Sequence, residues 1–487
     1  MKVRNFTDAR SLLFDNLTIK QTIFKNTLWL SLGTAVSKLL KLVLLIYAAR
    51  ILGATEYGKF TFALAFISLF VIFHEFGLPL IVTREFSRDK EKEKEFSSVL
   101  SLRIILSLGA LVLILISSFF ITPDPIIQKI ILILALFSLI EGFMNLVYTF
   151  FQARQRMEYQ AWAVIFDALI ATVVGVFVLF NFPSVENLSY SYLFSSLIVL
   201  IFVLLFFHFK IFPLNISWQK TIWQRFLKLS WPLALISLCG MLSTYVASVM
   251  MGYWGQITQT GWYNAAYGIF QVAAVPAGLI SASFYPLLSK LLRESKEKLQ
   301  NTLNNQIEIM ILLAFPLVVG GITLAPKMIS SIYGSNFSPA VLAFQILIIM
   351  AGIVFLSAPF SNLLIASNQQ KKVLYVNVVG AVINIILNFL LIPRFSLYGA
   401  AMATLITFFI MFILVLISVK YFTPLSLFNL QLTKILIFTV ISTSLMYFSI
   451  KQPLIYGLNI ILTLITGILI YFVTFFAFQI IVERRRF

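Results

Sequence analysis

Lys38 and Lys41 stand inside an apolar run, residues 25–49, that is long enough to cross a bilayer. A charged group at membrane depth costs about 2.5–3.5 kcal/mol on insertion scales and defaults to a functional reading. With Thr27, Ser31 and Thr34, the two lysines are spaced 4, 3, 4 and 3 residues apart, so all five share one helix face. Lys38 lies roughly 20 Å along the axis from Lys25, too deep for its stem to reach the headgroups. The pair therefore predicts either a wet cationic cavity for an anionic substrate or ion pairs with carboxylates on neighbouring helices.

Three acidic residues are candidates for that pairing, or for binding a coupling ion. Glu141 sits mid-depth in a later apolar run, on a stripe with Ser138, Asn145, Tyr148 and Gln152. Glu75 and Asp167 lie nearer the cytoplasmic side of two others. The second half of the chain carries amides and hydroxyls instead of charge: Asn264, Tyr267 and Gln271 in one run, then Asn377, Asn384 and Asn388 in another. Such groups suit sugar hydroxyls and equally suit interhelical hydrogen bonds. Lys38, Lys41, Asn264, Tyr267, Gln271 and Asn384 are the candidate substrate-binding residues.

The elements that must position these residues follow from composition. Sixty per cent hydrophobic and 11% charged residues, with 49 Phe in 487 residues, describe an all-α integral membrane protein. The single cysteine, Cys239, rules out an internal disulfide, and two histidines offer no metal cluster. The net charge of +18 does not imply nucleic acid here, because Lys and Arg accumulate in cytoplasmic loops.

About fourteen transmembrane runs are expected, near 25–49, 59–81, 99–121, 126–151, 161–181, 188–209, 229–254, 262–288, 306–330, 339–366, 373–392, 398–420, 432–450 and 455–482. With alternating spans and cytoplasmic termini, 28 of the 36 Lys and Arg fall inside and six outside. The expected division is a leader (1–24), a six-helix half (25–209), a cytoplasmic linker (210–228), a second half (229–420), two further helices (432–482) and a basic tail (483–487). The charge runs Arg88–Glu95 and Lys290–Lys298 read as solvated connectors. Weak internal symmetry pairs Gly77-Leu78 with Gly278-Leu279 and Tyr57 with Tyr263, six spans apart.

No GxxxxGK[ST] loop and no Asp-x-Asp pair is present, and the outside loops carry three acidic residues, Glu56, Asp124 and Glu186. The expectation is a transporter without a cofactor, not an enzyme.

The segments Ala49-Arg50-Ile51-Leu52-Gly53, Glu56-Tyr57-Gly58 and Phe76-Gly77-Leu78 resemble the opening of the polysaccharide-biosynthesis (O-antigen type) lipid-linked oligosaccharide flippases. Further along, Gln155-Arg156-Met157-Glu158-Tyr159, Gly261-Trp262-Tyr263-Asn264-Ala265-Ala266-Tyr267, Tyr333-Gly334 and Tyr398-Gly399-Ala400-Ala401 continue the resemblance in order. It implies membership of the superfamily that also holds MATE exporters and lipid II flippases. It also implies two MATE-like six-helix lobes with a central cavity worked by alternating access. The implied cargo is a polyprenyl-(pyro)phosphate-linked oligosaccharide, moved to the outer leaflet of the cell membrane for surface polysaccharide assembly. Implied partners are that glycan, membrane lipids and the polymerase or assembly machinery. A MATE-like multidrug or cation antiporter, a lipid II flippase and a membrane glycosyltransferase or polymerase stand as alternatives.

Overall fold

The computed structural model describes residues 14–213, 215–292, 294–422 and 430–484. Residues 1–13 of the leader and Arg485 and Arg486 of the basic tail lie outside them. The described residues form helices and no strand, as an apolar chain must when its backbone groups can bond only within their own segment. In chain order they are α1 (Ile19–Glu75), α2 (Leu78–Arg88), α3 (Phe96–Ile121), α4 (Pro125–Ala153), α5 (Met157–Asn181), α6 (Val185–Lys210) and α7 (Lys220–Tyr253). Then come α8 (Ile257–Leu291), α9 (Lys296–Tyr333), α10 (Ala340–Ala366), α11 (Gln370–Phe422), α12 (Leu430–Ile450), the short α13 (Pro453–Tyr456) and α14 (Ile460–Arg484). Polar caps set several starts: the side chains of Thr18, Asp124, Ser184 and Ser295 each accept a hydrogen bond from an N–H of the first turn.

Among the described residues, twelve helical stretches are long and apolar enough to cross a membrane. The fourteen apolar runs fall on twelve stretches because two of these carry two runs each, either side of a break. A straight helix the length of α1 would measure roughly 85 Å, far beyond a hydrocarbon core of about 30 Å. α1 breaks at Gly53, whose φ of 75° and ψ of 174° suit glycine. α11 breaks at Ser396, and there the chain doubles back, because Gly399 packs directly against the Leu391 carbonyl. Residues eight apart in a straight helix would be about 12 Å apart.

By packing, the described chain forms two compact units that divide at Gly261 and Trp262. In the first, α1 lies against α5, α7, α4 and α3. Its core joins Leu44, Phe60, Phe62 and Leu134 in one cluster and Phe86, Phe96, Phe150 and Phe207 in another. In the second, α10 packs on α9 and α11, and α12 packs on α14 and α9. Two prolines inside α9 each leave a carbonyl four residues earlier without its helical N–H. Side chains repair both. Tyr471 Oη donates to Leu312 O at 2.8 Å opposite Pro316, and Gln345 Nε2 donates to Ile322 O at 3.0 Å opposite Pro326.

The two charge runs differ from each other. Lys290 and Glu294 form an exposed i,i+4 pair at 3.6 Å, a solvated connector as expected. Lys90–Glu95 is instead a 3₁₀ turn in which Glu93 and Glu95 face the protein while Glu91 is exposed. Glu93 takes a fork from Arg154 at 2.7 and 3.2 Å, Glu95 pairs with Arg225, and Lys92 reaches Glu85 at 2.8 Å. Alternating signs mark a polar turn, and the sequence pattern does not show which of its charges meet the protein.

Candidate functional site

The polar stripe on α1 is exposed along most of its length and meets neighbouring helices at Lys41. Thr27, Thr34 and Lys38 are exposed, and Ser31 and Lys41 are half-buried. The other side of the helix is built for close approach. Gly33 lies against Ala161, where a Cβ would come within 2.9 Å of its Cα, and Gly175 of α5 lies against Leu44. Thr172 of α5 donates to the Leu40 carbonyl at 3.1 Å. Small residues thus draw α1 and α5 together, so that Lys41 reaches an acid on α5.

Lys41 Nζ sits 3.0 Å from Glu141 Oε1 of α4 and 3.1 Å from Asp167 Oδ2 of α5. Asp167 is buried, with 7% of its side chain exposed, while Lys41 and Glu141 keep 30% and 37%. One ammonium therefore serves two carboxylates, and the triad carries one net negative charge when all three are ionised. Lys38, one turn away, is exposed and makes no ion pair or hydrogen bond among the described residues. Of the two readings open to the lysines, Lys41 takes the ion pair and Lys38 stays uncommitted.

Glu75 meets neither lysine. Its Oε1 lies 3.7 Å from Arg103 Nη2 and accepts from Asn145 Nδ2 at 3.1 Å. Arg103, 1% exposed, also donates to the carbonyl of His74. The reason is a second break in the backbone. Phe76 and Gly77 are both left-handed, with φ of 46° and 70°, so α1 ends and α2 begins within the apolar region. With the helix broken at Phe76 and Gly77, the His74 carbonyl lies at a helix C-terminus, where the guanidinium satisfies it as a cation. Gly142 of α4 makes room, because a Cβ there would collide with Arg103 Nη2 and come within 2.9 Å of the His74 ring. His74 Nε2 in turn pairs with Ser138 Oγ at 3.2 Å.

Sequence reasoning missed Arg103 and His74. Arg103 lies near the start of its apolar run, where an arginine reads as one more cytoplasmic charge. The available signal was the Phe76-Gly77-Leu78-Pro79 turn, which leaves carbonyls needing a donor.

In the second unit, Asn264 and Tyr267 are half-buried on α8 and Gln271 is exposed on the same helix. Tyr267 stacks on Tyr263 and meets Phe270 at a tilt, with centroids 5.8 and 5.2 Å away. Asn384 is sealed inside the α11 hairpin at 1% exposure. It donates to Thr407 Oγ1 at 3.2 Å and accepts from Asn388 Nδ2 at 2.9 Å. That is the helix-joining role open to such groups, and it leaves Asn384 without free surface.

A family model described as "Polysaccharide biosynthesis protein" matches residues 23–292. A capsular polysaccharide biosynthesis protein, CapF of Staphylococcus aureus, is 22% identical over 409 residues, spanning 82% of this chain and 98% of the relative. A probable flippase, AglR of Haloferax volcanii, is 25% identical over 247 residues, 49% of this chain and 50% of the relative. Among solved structures, the lipid II flippase MurJ in an inward closed conformation superposes with a TM-score of 0.77 at 17% identity, covering 93% of this chain and 98% of that one. An inward-facing multidrug MATE transporter gives 0.65 at 15% identity, covering 79% and 95%. These two show the fold.

Proposed function

Because the chain belongs to the polysaccharide biosynthesis protein family, we propose that it is a flippase for a polyprenyl-(pyro)phosphate-linked oligosaccharide. In this reading it moves its cargo from the cytoplasmic to the outer leaflet by alternating access, with both termini in the cytoplasm. The observation that carries the proposal is Lys38: an exposed, uncommitted ammonium on a membrane-crossing helix, one turn from a closed ion triad. Such a group needs an anion, and lysine binds phosphate as a compact point charge. The names of the relatives support the glycan half, one being a capsular polysaccharide biosynthesis protein and another a probable flippase. Asn264, Tyr267 and Gln271 are the candidates for meeting glycan hydroxyls, whereas Asn384 holds a hairpin.

The transporter reading is preferred to an enzymatic one because the chain's relatives include flippases. A cationic drug as cargo fits poorly, since Lys38 would repel it. Polysaccharide polymerase and assembly proteins are the partners this role would bring.

Complementation tests the proposal. Lys38→Gln should abolish surface glycan in a flippase-deficient strain while membrane expression stays at the level of the unaltered protein. Normal glycan display by Lys38→Gln would remove the phosphate role from this residue.

A further inference from the structure

Glu141 does more than hold Lys41. Its Oε1 is taken by that lysine, but Oε2 makes no hydrogen bond among the described residues, and 37% of the side chain is exposed. One turn along the same face of α4, Asn145 is exposed. Its Nδ2 is committed to Glu75, which leaves Oδ1 free. Two acceptors with open lone pairs therefore stand one turn apart on α4, one of them in a net-negative triad whose Lys41 lies one turn from Lys38. Phosphate offers no donor at neutral pH and would be repelled by the triad, so these acceptors must face something else. They call for O–H or amide N–H groups held a short distance from an anion.

We propose that Glu141, with Asn145, distinguishes the sugar-loaded carrier from the bare one. This rests on the flippase reading above. The phosphate sits at Lys38, and the first sugar presents its hydroxyl or N-acyl donors to Glu141 Oε2 and Asn145 Oδ1. The rise from residue 38 to residue 41 is roughly 4.5 Å, comparable to the separation of a phosphate from the hydroxyls of the sugar it carries. A bare polyprenyl diphosphate would place its terminal, doubly charged phosphate against the carboxylate instead. Specificity then comes from repulsion of the wrong ligand as much as attraction of the right one. A flippase without such a device would carry unloaded carrier outward in futile cycles.

The test uses the full chain in nanodiscs and two probes: a short-chain polyprenyl diphosphate, and the same lipid bearing one N-acetylhexosamine. The unaltered protein should prefer the glycosylated probe by roughly tenfold or more, the equivalent of one hydrogen bond or one like-charge contact. Glu141→Gln should collapse that preference, chiefly by tighter binding of the bare lipid. Asn145→Ala should lower affinity for the glycosylated probe alone. Lys38→Gln should weaken both probes equally. An unchanged preference in Glu141→Gln and Asn145→Ala, with both probes still bound, overturns the discrimination and leaves the flippase reading standing. Failure of the unaltered protein to bind either probe overturns both.

Discussion

Lys38 and Lys41 are one turn apart on one helix, yet removing each should have opposite consequences. Lys41 compensates Glu141 and Asp167 together. Its loss strands two carboxylates, one of them buried, and stranding a charge is the costly way to break an ion pair. Lys41→Gln should destabilise the protein by about 2–3 kcal/mol, below the 3–5 kcal/mol of fully buried pairs because Lys41 keeps some access to water. Thermal unfolding in detergent would show this, and adding Asp167→Asn should restore part of the loss, since neighbouring charges are not additive. Lys38→Gln should leave the unfolding temperature unmoved, because Lys38 has no partner to abandon. Both lysines and all three acids were legible in the sequence, because a charge in an apolar run is conspicuous. Which lysine meets which acid was not, because helical spacing gives a residue's face and not the neighbour that face meets.

At the scale of elements, the break between α1 and α2 is the feature that spacing alone did not reveal. The sequence pairs Gly77-Leu78 with Gly278-Leu279 as equivalent points of two repeats, but the structure treats them differently. Gly77 is left-handed, and a Cβ there would come within 2.8 Å of the Ser230 carbonyl of α7, whereas Gly278 lies in uninterrupted α8 with open space beside it. The first half has Arg103 to satisfy the carbonyl that its break exposes. Gly77→Ala should therefore be strongly destabilising, and so should Gly142→Ala, which would displace Arg103. Gly278→Ala should be neutral or stabilising by about 0.5–1 kcal/mol, the usual gain of alanine over glycine within a helix. Comparable losses of thermal stability at Gly77 and Gly278 would mean that the two halves share a hinge after all. The inward-facing acids of Lys90–Glu95 make the same point. A charge pattern identifies a polar segment, but its partners, Arg154 and Arg225, come from distant parts of the chain.

For the whole molecule, hydropathy alone led to a membrane-crossing helical fold, since a bilayer leaves an apolar chain almost no other way to satisfy its backbone. The way the runs join is less legible, because Gly53 and Ser396 break helices at points that hydropathy shows only as gaps between apolar runs. The orientation still rests on the asymmetry of Lys and Arg, and it yields a sharp expectation. Cys239 is the single cysteine, so Cys239→Ser provides a background without thiols. In it, Ser87→Cys should react with an impermeant maleimide only from the cytoplasmic side, and Asn181→Cys and Gln452→Cys only from the outer side. All three positions are exposed. The last two lie eight apolar runs apart, an even number, so they must share a side if every run between them crosses. Labelling of Gln452→Cys from the cytoplasm, with Asn181→Cys still outside, would mean that one run between them does not cross. Reversal of all three would instead turn the whole bundle over, putting Lys25 and the leader outside and Lys38 on the wrong approach to a cytoplasmic substrate.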